Sequence, residues 1–183
     1  MAATIEQIAE FLKSEGLNFK VDDNRVLTGF NTHHYKDSDG DSGISLIIRL
    51  EEDGEFLKVI APRVYSYPDG PHKAALFQFL LMISWDTKMI QYEYDINDGE
   101  VRAIIEFPLE DAILTKKQLV RCLHSIAGAV DENHEAVVAA METGELPKPE
   151  EGEENMAALW QEFQEFLEQK RRAEGGGGHG LPE

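Results

Sequence analysis

The chain has 183 residues, 42% hydrophobic against 28% charged, which fits one globular domain with an appendage and differs from the composition of disordered chains. A formal net charge of −18 argues against nucleic acid and anionic membrane as partners, because a grip on phosphates needs cations. Cys122 is the sole cysteine, so no intramolecular disulfide can form and a disulfide-stapled secreted design is excluded.

The first residues lack the basic and apolar pattern of a secretory leader. The longest apolar stretch, residues 74–85, is interrupted by Gln78 and Ser84 and is too short to span a bilayer. A cytoplasmic setting is therefore expected. The acidic excess itself reads either as a solubilising surface or as attraction to a basic partner.

Thr4, with Gln7 three residues on, has the pairing of a capping box, and Ile5, Ile8, Ala9 and Leu12 follow at helical spacing until Gly16. Leu17, Phe19 and Val21 alternate with polar residues, Asp22, Asp23 and Asn24 form a turn, and Val26, Thr28 and Phe30 resume the alternation, which predicts a hairpin. After a polar loop, Ile44, Leu46, Ile48 and Leu50 alternate with Ser45, Ile47 and Arg49. Asp53 and Gly54 then supply a tight turn before a strand over residues 56–64.

Pro68 and Pro71 force a turn before an apolar helix over residues 72–85. Residues 89–96 and 100–107 are strand-like around Asn97, Asp98 and Gly99, and Pro108 ends the pair. Thr115 with Gln118 repeats the capping-box pattern, and Leu119, Leu123, Ile126, Ala127, Val130, Val137, Val138 and Met141 predict one long helix reaching Gly144.

Residues 145–183 hold 10 of the 35 acids but only 4 of the 17 bases, which marks a change from packed to solvated chain. The expected organisation is a compact domain over 1–144, an acidic Pro/Glu linker over 145–155, an amphipathic tail helix over 156–174 and a flexible Gly-rich end over 175–183.

Strands joined in hairpins and interrupted by helices imply an α+β fold: an antiparallel sheet of about five to six strands with helices packed on it. Up to Gly144 this layout resembles the YbjN-like proteins and, more distantly, the fold of the small acidic chaperones of type III secretion. The resemblance rests on element order and acidity rather than on a short motif. It implies a protein-binding module without chemistry, commonly dimeric, and transfers no functional residue.

The sequence contains no GxSxG, Walker-type lysine loop, GxGxxG after a strand, HExxH or CxxC, so neither a catalytic residue nor a cofactor is expected. The helix over 72–85 is apolar almost all round. Ala75, Leu76, Phe79, Leu80 and Ile83 share one face, while Phe77, Leu81, Met82 and Trp85 lean to others, so a second face needs cover from a later element or from another subunit. A homodimer through Phe77, Leu81, Met82 and Trp85 is the expectation drawn from it.

In the tail, Met156, Leu159, Trp160, Phe163, Phe166 and Leu167 fall on one stripe. That stripe docks on its own domain or dimer, or enters a groove of a protein partner. His33, His34, Asp37, Asp39 and Asp41 crowd one loop with chemistry suited to a divalent metal, the alternative reading. As a calcium loop it is incomplete, with Ser42 at the glycine position and Ile48 in place of the closing glutamate. Cys122, His124 and His134 invite a nucleophile reading, but residues two apart on a helix point to different faces.

Overall fold

The computed structural model describes residues 2–147, 160, 161 and 163–166. The chain divides into a body, Met1–Leu146, and a C-terminal unit, Pro147–Glu183. In chain order the body contains α1 (Ile5–Ser14), β1 (Phe19–Asp22), β2 (Arg25–Phe30), β3 (Ile44–Glu51), β4 (Phe56–Ser66), α2 (Lys73–Asp86), β5 (Gln91–Tyr94), β6 (Glu100–Pro108), α3 (Lys116–Glu132) and α4 (His134–Glu142). The strands form one open sheet in the order β1-β2-β3-β4-β6-β5, with every pairing antiparallel. This is the α+β architecture that the hairpin pattern predicts.

Alternation along the strands sorts the sheet into two faces. Val26, Ile48, Val59 and Ile105 lie in register across β2, β3, β4 and β6 and are all fully buried. They belong to the core that takes in Ile8 and Leu12 of α1, Leu76 and Ile83 of α2, and Leu119, Leu123 and Ile126 of α3. At about 1.5–3 kcal/mol for each buried aliphatic side chain, this inner face is the main source of stability.

The turns carry their own chemistry. The β3–β4 connection is a 3-10 turn, Glu52–Gly54, in place of a two-residue Asp-Gly turn. Gly54 adopts φ +94°, and a Cβ there would collide with the Ala3 carbonyl. The close approach lets the Ala3 N–H donate to the Gly54 carbonyl at 3.0 Å, tying the N-terminal segment across the turn.

Two helix starts that look alike in sequence differ in space. Thr115 and Gln118 form the reciprocal box that caps α3. At α1 the Thr4 hydroxyl accepts from the Gln7 N–H, but the Gln7 amide donates instead to the Leu114 carbonyl at 3.3 Å, bridging α1 to the segment before α3.

The long helix expected to run to Gly144 is two helices. α3 stops at Glu132, and α4 begins at His134 after Asn133, whose backbone sits at φ −97°, ψ 0° and whose side-chain amide donates to the Ala129 carbonyl at 2.9 Å. Asn competes for local backbone partners, and here Asn133 marks the end of the helix. Asp131 is meanwhile engaged with a loop nearly 100 residues earlier in the chain.

Candidate protein-interaction surfaces

α2 is buried through Leu76, Phe79, Leu80 and Ile83. α4 and β5 pack against it, and Phe77 and Met82 are half-buried against the core, with the Phe77 ring edge-on to Tyr94 at 4.8 Å. Ala74, Gln78, Leu81 and Trp85 recur at helical spacing on the face left over. Leu81 is 71% exposed and Trp85 68% exposed. Of the four residues expected to serve a dimer, two therefore stand at the surface and two are held by the body. Past the helix end Met89 is also exposed, and a recess of about 410 Å³ lined by Asp86, Lys88, His124 and Glu132 adjoins it.

The loop bearing His33, His34, Asp37, Asp39 and Asp41 is organised by backbone hydrogen bonds. The Asp131 carboxylate accepts from the N–H groups of His33, His34 and Tyr35 at 3.0, 2.7 and 2.8 Å. Asp37 Oδ1 accepts from the N–H groups of Asp39 and Asp41, forming an Asx turn. His34 Nδ1 faces Glu135 of α4 at 3.5 Å. Among the described residues no group of three or more His, Cys, Asp or Glu side chains is placed to hold a metal ion.

Burial pushes the Asp131 carboxyl up, but the backbone hydrogen bonds from His33, Tyr35 and His34 outweigh it and hold the group below the usual carboxylate range. No short-range sequence signal marks Asp131 as the anchor, because its partners are remote in the chain.

Cys122 is buried, and burial pushes its thiol up to about 11. His124 is exposed beside the Phe30 ring at 4.9 Å, so thiol and imidazole face different ways. His134 stacks on Tyr65 at 5.9 Å and meets Tyr35 edge-on at 5.2 Å, and desolvation holds its imidazole below the ordinary range. These three residues are dispersed over packing sites and do not form a nucleophile with its base.

In the C-terminal unit, Trp160, Gln161 and residues 163–166 are helical. Trp160, Phe163 and Phe166 are exposed at a spacing of three, and the Trp160 and Phe163 rings lie 5.8 Å apart. Met156, Leu159 and Leu167 of the expected stripe lie outside the described residues, as do residues 148–155 of the expected linker and the Gly-rich end over 175–183.

No family model and no curated protein matches this chain. Among solved structures, the crystal structure of YbjN, a proposed transcription regulator from E. coli, aligns with a TM-score of 0.52 at 12% identity, over 74% of this chain and 94% of YbjN. The body has the YbjN fold. A chain of the HopA1–SchA chaperone–effector complex aligns with a TM-score of 0.46 at 17% identity, over 69% of this chain and 89% of that one. The YbjN likeness agrees with the element order read from the sequence and concerns the fold alone.

Proposed function

We propose that this protein is a non-enzymatic protein-binding module of YbjN-like fold that pairs with a second copy through α2 and engages a partner protein through its tail stripe. The observation that carries the reading is the exposed Leu81 and Trp85 on a helix otherwise spent on the core. Covering two such side chains stabilises an interface by about 1.5–3 kcal/mol each before the cost of association is met. Trp is also enriched among residues that dominate interfaces.

The exposed aromatics Trp160, Phe163 and Phe166 support a second contact of helix-in-groove type. A net charge of −18 weighs against direct nucleic-acid binding, so regulation of the kind proposed for YbjN would run here through protein contacts. The single buried cysteine accords with a cytoplasmic setting. Among the described residues no helix is long and apolar enough to cross a membrane.

Light scattering across micromolar concentrations tests the pairing. The wild type is expected at twice the monomer mass and the double variant Leu81→Ser, Trp85→Ser at the monomer mass, with unfolding midpoints that agree when both are read at concentrations where the wild type is monomeric. A wild type that stays monomeric throughout refutes pairing through α2.

A further inference from the structure

The sheet's outer face, away from the helices, carries features that the core does not explain. Lys20, Leu27, Ile47, Ile60, Ile104 and Gln91 lie abreast, one from each strand. Four of the six are aliphatic, and none of those four belongs to the inner core. Ile60 and Ile104 are only 5% and 0% exposed, while Leu27 and Ile47 are half-buried.

Two residues along the strands, the next row on this face reads Asp22, Arg25, Arg49, Lys58, Glu106. Three cations therefore stand directly opposite one another across β2, β3 and β4, a placement that is unfavourable by itself. The outer two are neutralised. Arg25 pairs with Asp22 at 2.5 Å, and Lys58 pairs with Glu106 at 2.6 Å.

Arg49 stands between them, half-buried, with no ion pair and no side-chain hydrogen bond to the described residues. Glu51, on the same side of its own strand, makes no ion pair with it. Lys20, at the end of the aliphatic row, has no ion-pair partner among the described residues either. In a chain of net charge −18, Arg49 and Lys20 are thus cations without an ion-pair partner among the described residues, beside the half-buried Leu27 and Ile47.

We propose that the outer face of the sheet is a docking surface for an acidic, apolar-bearing segment of a partner protein. A carboxylate of that segment pairs with Arg49, and its apolar side chains lie along Leu27 and Ile47. An arginine presents a planar fork that a carboxylate engages through two parallel hydrogen bonds, and partial burial beside aliphatic groups strengthens that contact relative to open water. The proposal rests on the reading of the protein as a binding module but uses a surface separate from α2.

The test titrates full-length protein with two fluorescent peptides of equal length, one alternating Glu with Leu and Phe, the other with Lys replacing each Glu. The acidic peptide is expected to bind and the basic one not. Raising salt from about 0.05 M to about 0.5 M is expected to weaken binding several-fold, as screening shortens the reach of Arg49. Arg49→Glu is expected to lower affinity for the acidic peptide at least tenfold, and Arg49→Gln, a milder change, several-fold at an unchanged unfolding midpoint.

Equal binding of both peptides, no binding of the acidic one, or indifference to both Arg49 variants overturns the proposal. Leu81→Ser, Trp85→Ser separates the two surfaces. It is expected to abolish pairing and leave peptide binding intact, so loss of peptide binding there would overturn the outer-face assignment, whereas a monomeric wild type would refute only the α2 pairing.

Discussion

α2 and α3 feed the same core yet differ in what they leave outside. α3 buries Leu119, Leu123, Ile126 and Val130 and turns Lys117, Arg121 and His124 outward, so its polar side is solvated and its apolar side spent. α2 buries Leu76, Phe79, Leu80 and Ile83 but turns Leu81 and Trp85 outward, with Gln78 the exposed polar residue preceding them on that face. The inner halves of both helices serve stability. The outer half of α2 is free of that task, and this separation is what suits α2 to the proposed pairing.

The sharpest way to break the comparison is to truncate one leucine from each helix. Leu123 is fully buried, and Leu123→Ala is expected to destabilise by about 3 kcal/mol from lost transfer energy and the cavity left behind. Leu81→Ala removes the same atoms from an exposed site and is expected to change stability by less than about 0.5 kcal/mol. Urea unfolding, read at concentrations where both variants are monomeric, measures the pair. Comparable losses would mean that Leu81 is structural.

The elements that were legible in the sequence are those whose signals are local. Period-two runs such as Ile44, Leu46, Ile48 and Leu50 give the strands, prolines and glycines bound them, and the continuous apolar run gives α2. Ile47 is apolar on the side opposite Ile48, and Ile60 and Ile104 sit in apolar runs with no alternation, which marks strands apolar on both faces. Their joining into one outer row depends on strand order, which no single segment encodes.

The break at Asn133 eluded periodicity because Val130 and Val137 keep helical spacing across it. The local signal that does mark it is the pair Asp131 and Asn133, both weak helix formers with side chains that seek backbone partners. The clustered acids of the 37–41 loop are organised by an Asx turn at Asp37, which draws on the same residue type as a cation site.

A smaller effect is expected where α3 ends. Asp131→Asn keeps the shape but exchanges a charged acceptor of three N–H groups for a neutral one, at a cost of about 1–2 kcal/mol near neutral pH. The folded carboxyl titrates below its unfolded value, so the unfolded chain binds the proton more readily and this contribution is present above about pH 4. It is lost as pH falls through the folded value. Denaturation across pH 3 to 7 is therefore expected to show the wild type converging on the variant in acid, and a constant gap would mean that the charge of Asp131 is not what holds the loop.

The least disruptive contrast leaves the fold intact and reads only access. Burial puts the Cys122 thiol at about 11, so at pH 8 about 0.1% is thiolate, against about a quarter for an ordinary exposed cysteine. Cys122 is also shielded from reagent by the core around it. A disulfide-exchange reagent is expected to label native wild type slowly, at a rate set by unfolding, and to label Leu81→Cys at once on its new thiol under conditions that keep it monomeric. If pairing through α2 occurs, raising the protein concentration should slow the Leu81→Cys reaction, because the α2 face is then covered by the second copy. A rate for Leu81→Cys that does not respond to concentration would count against pairing through α2.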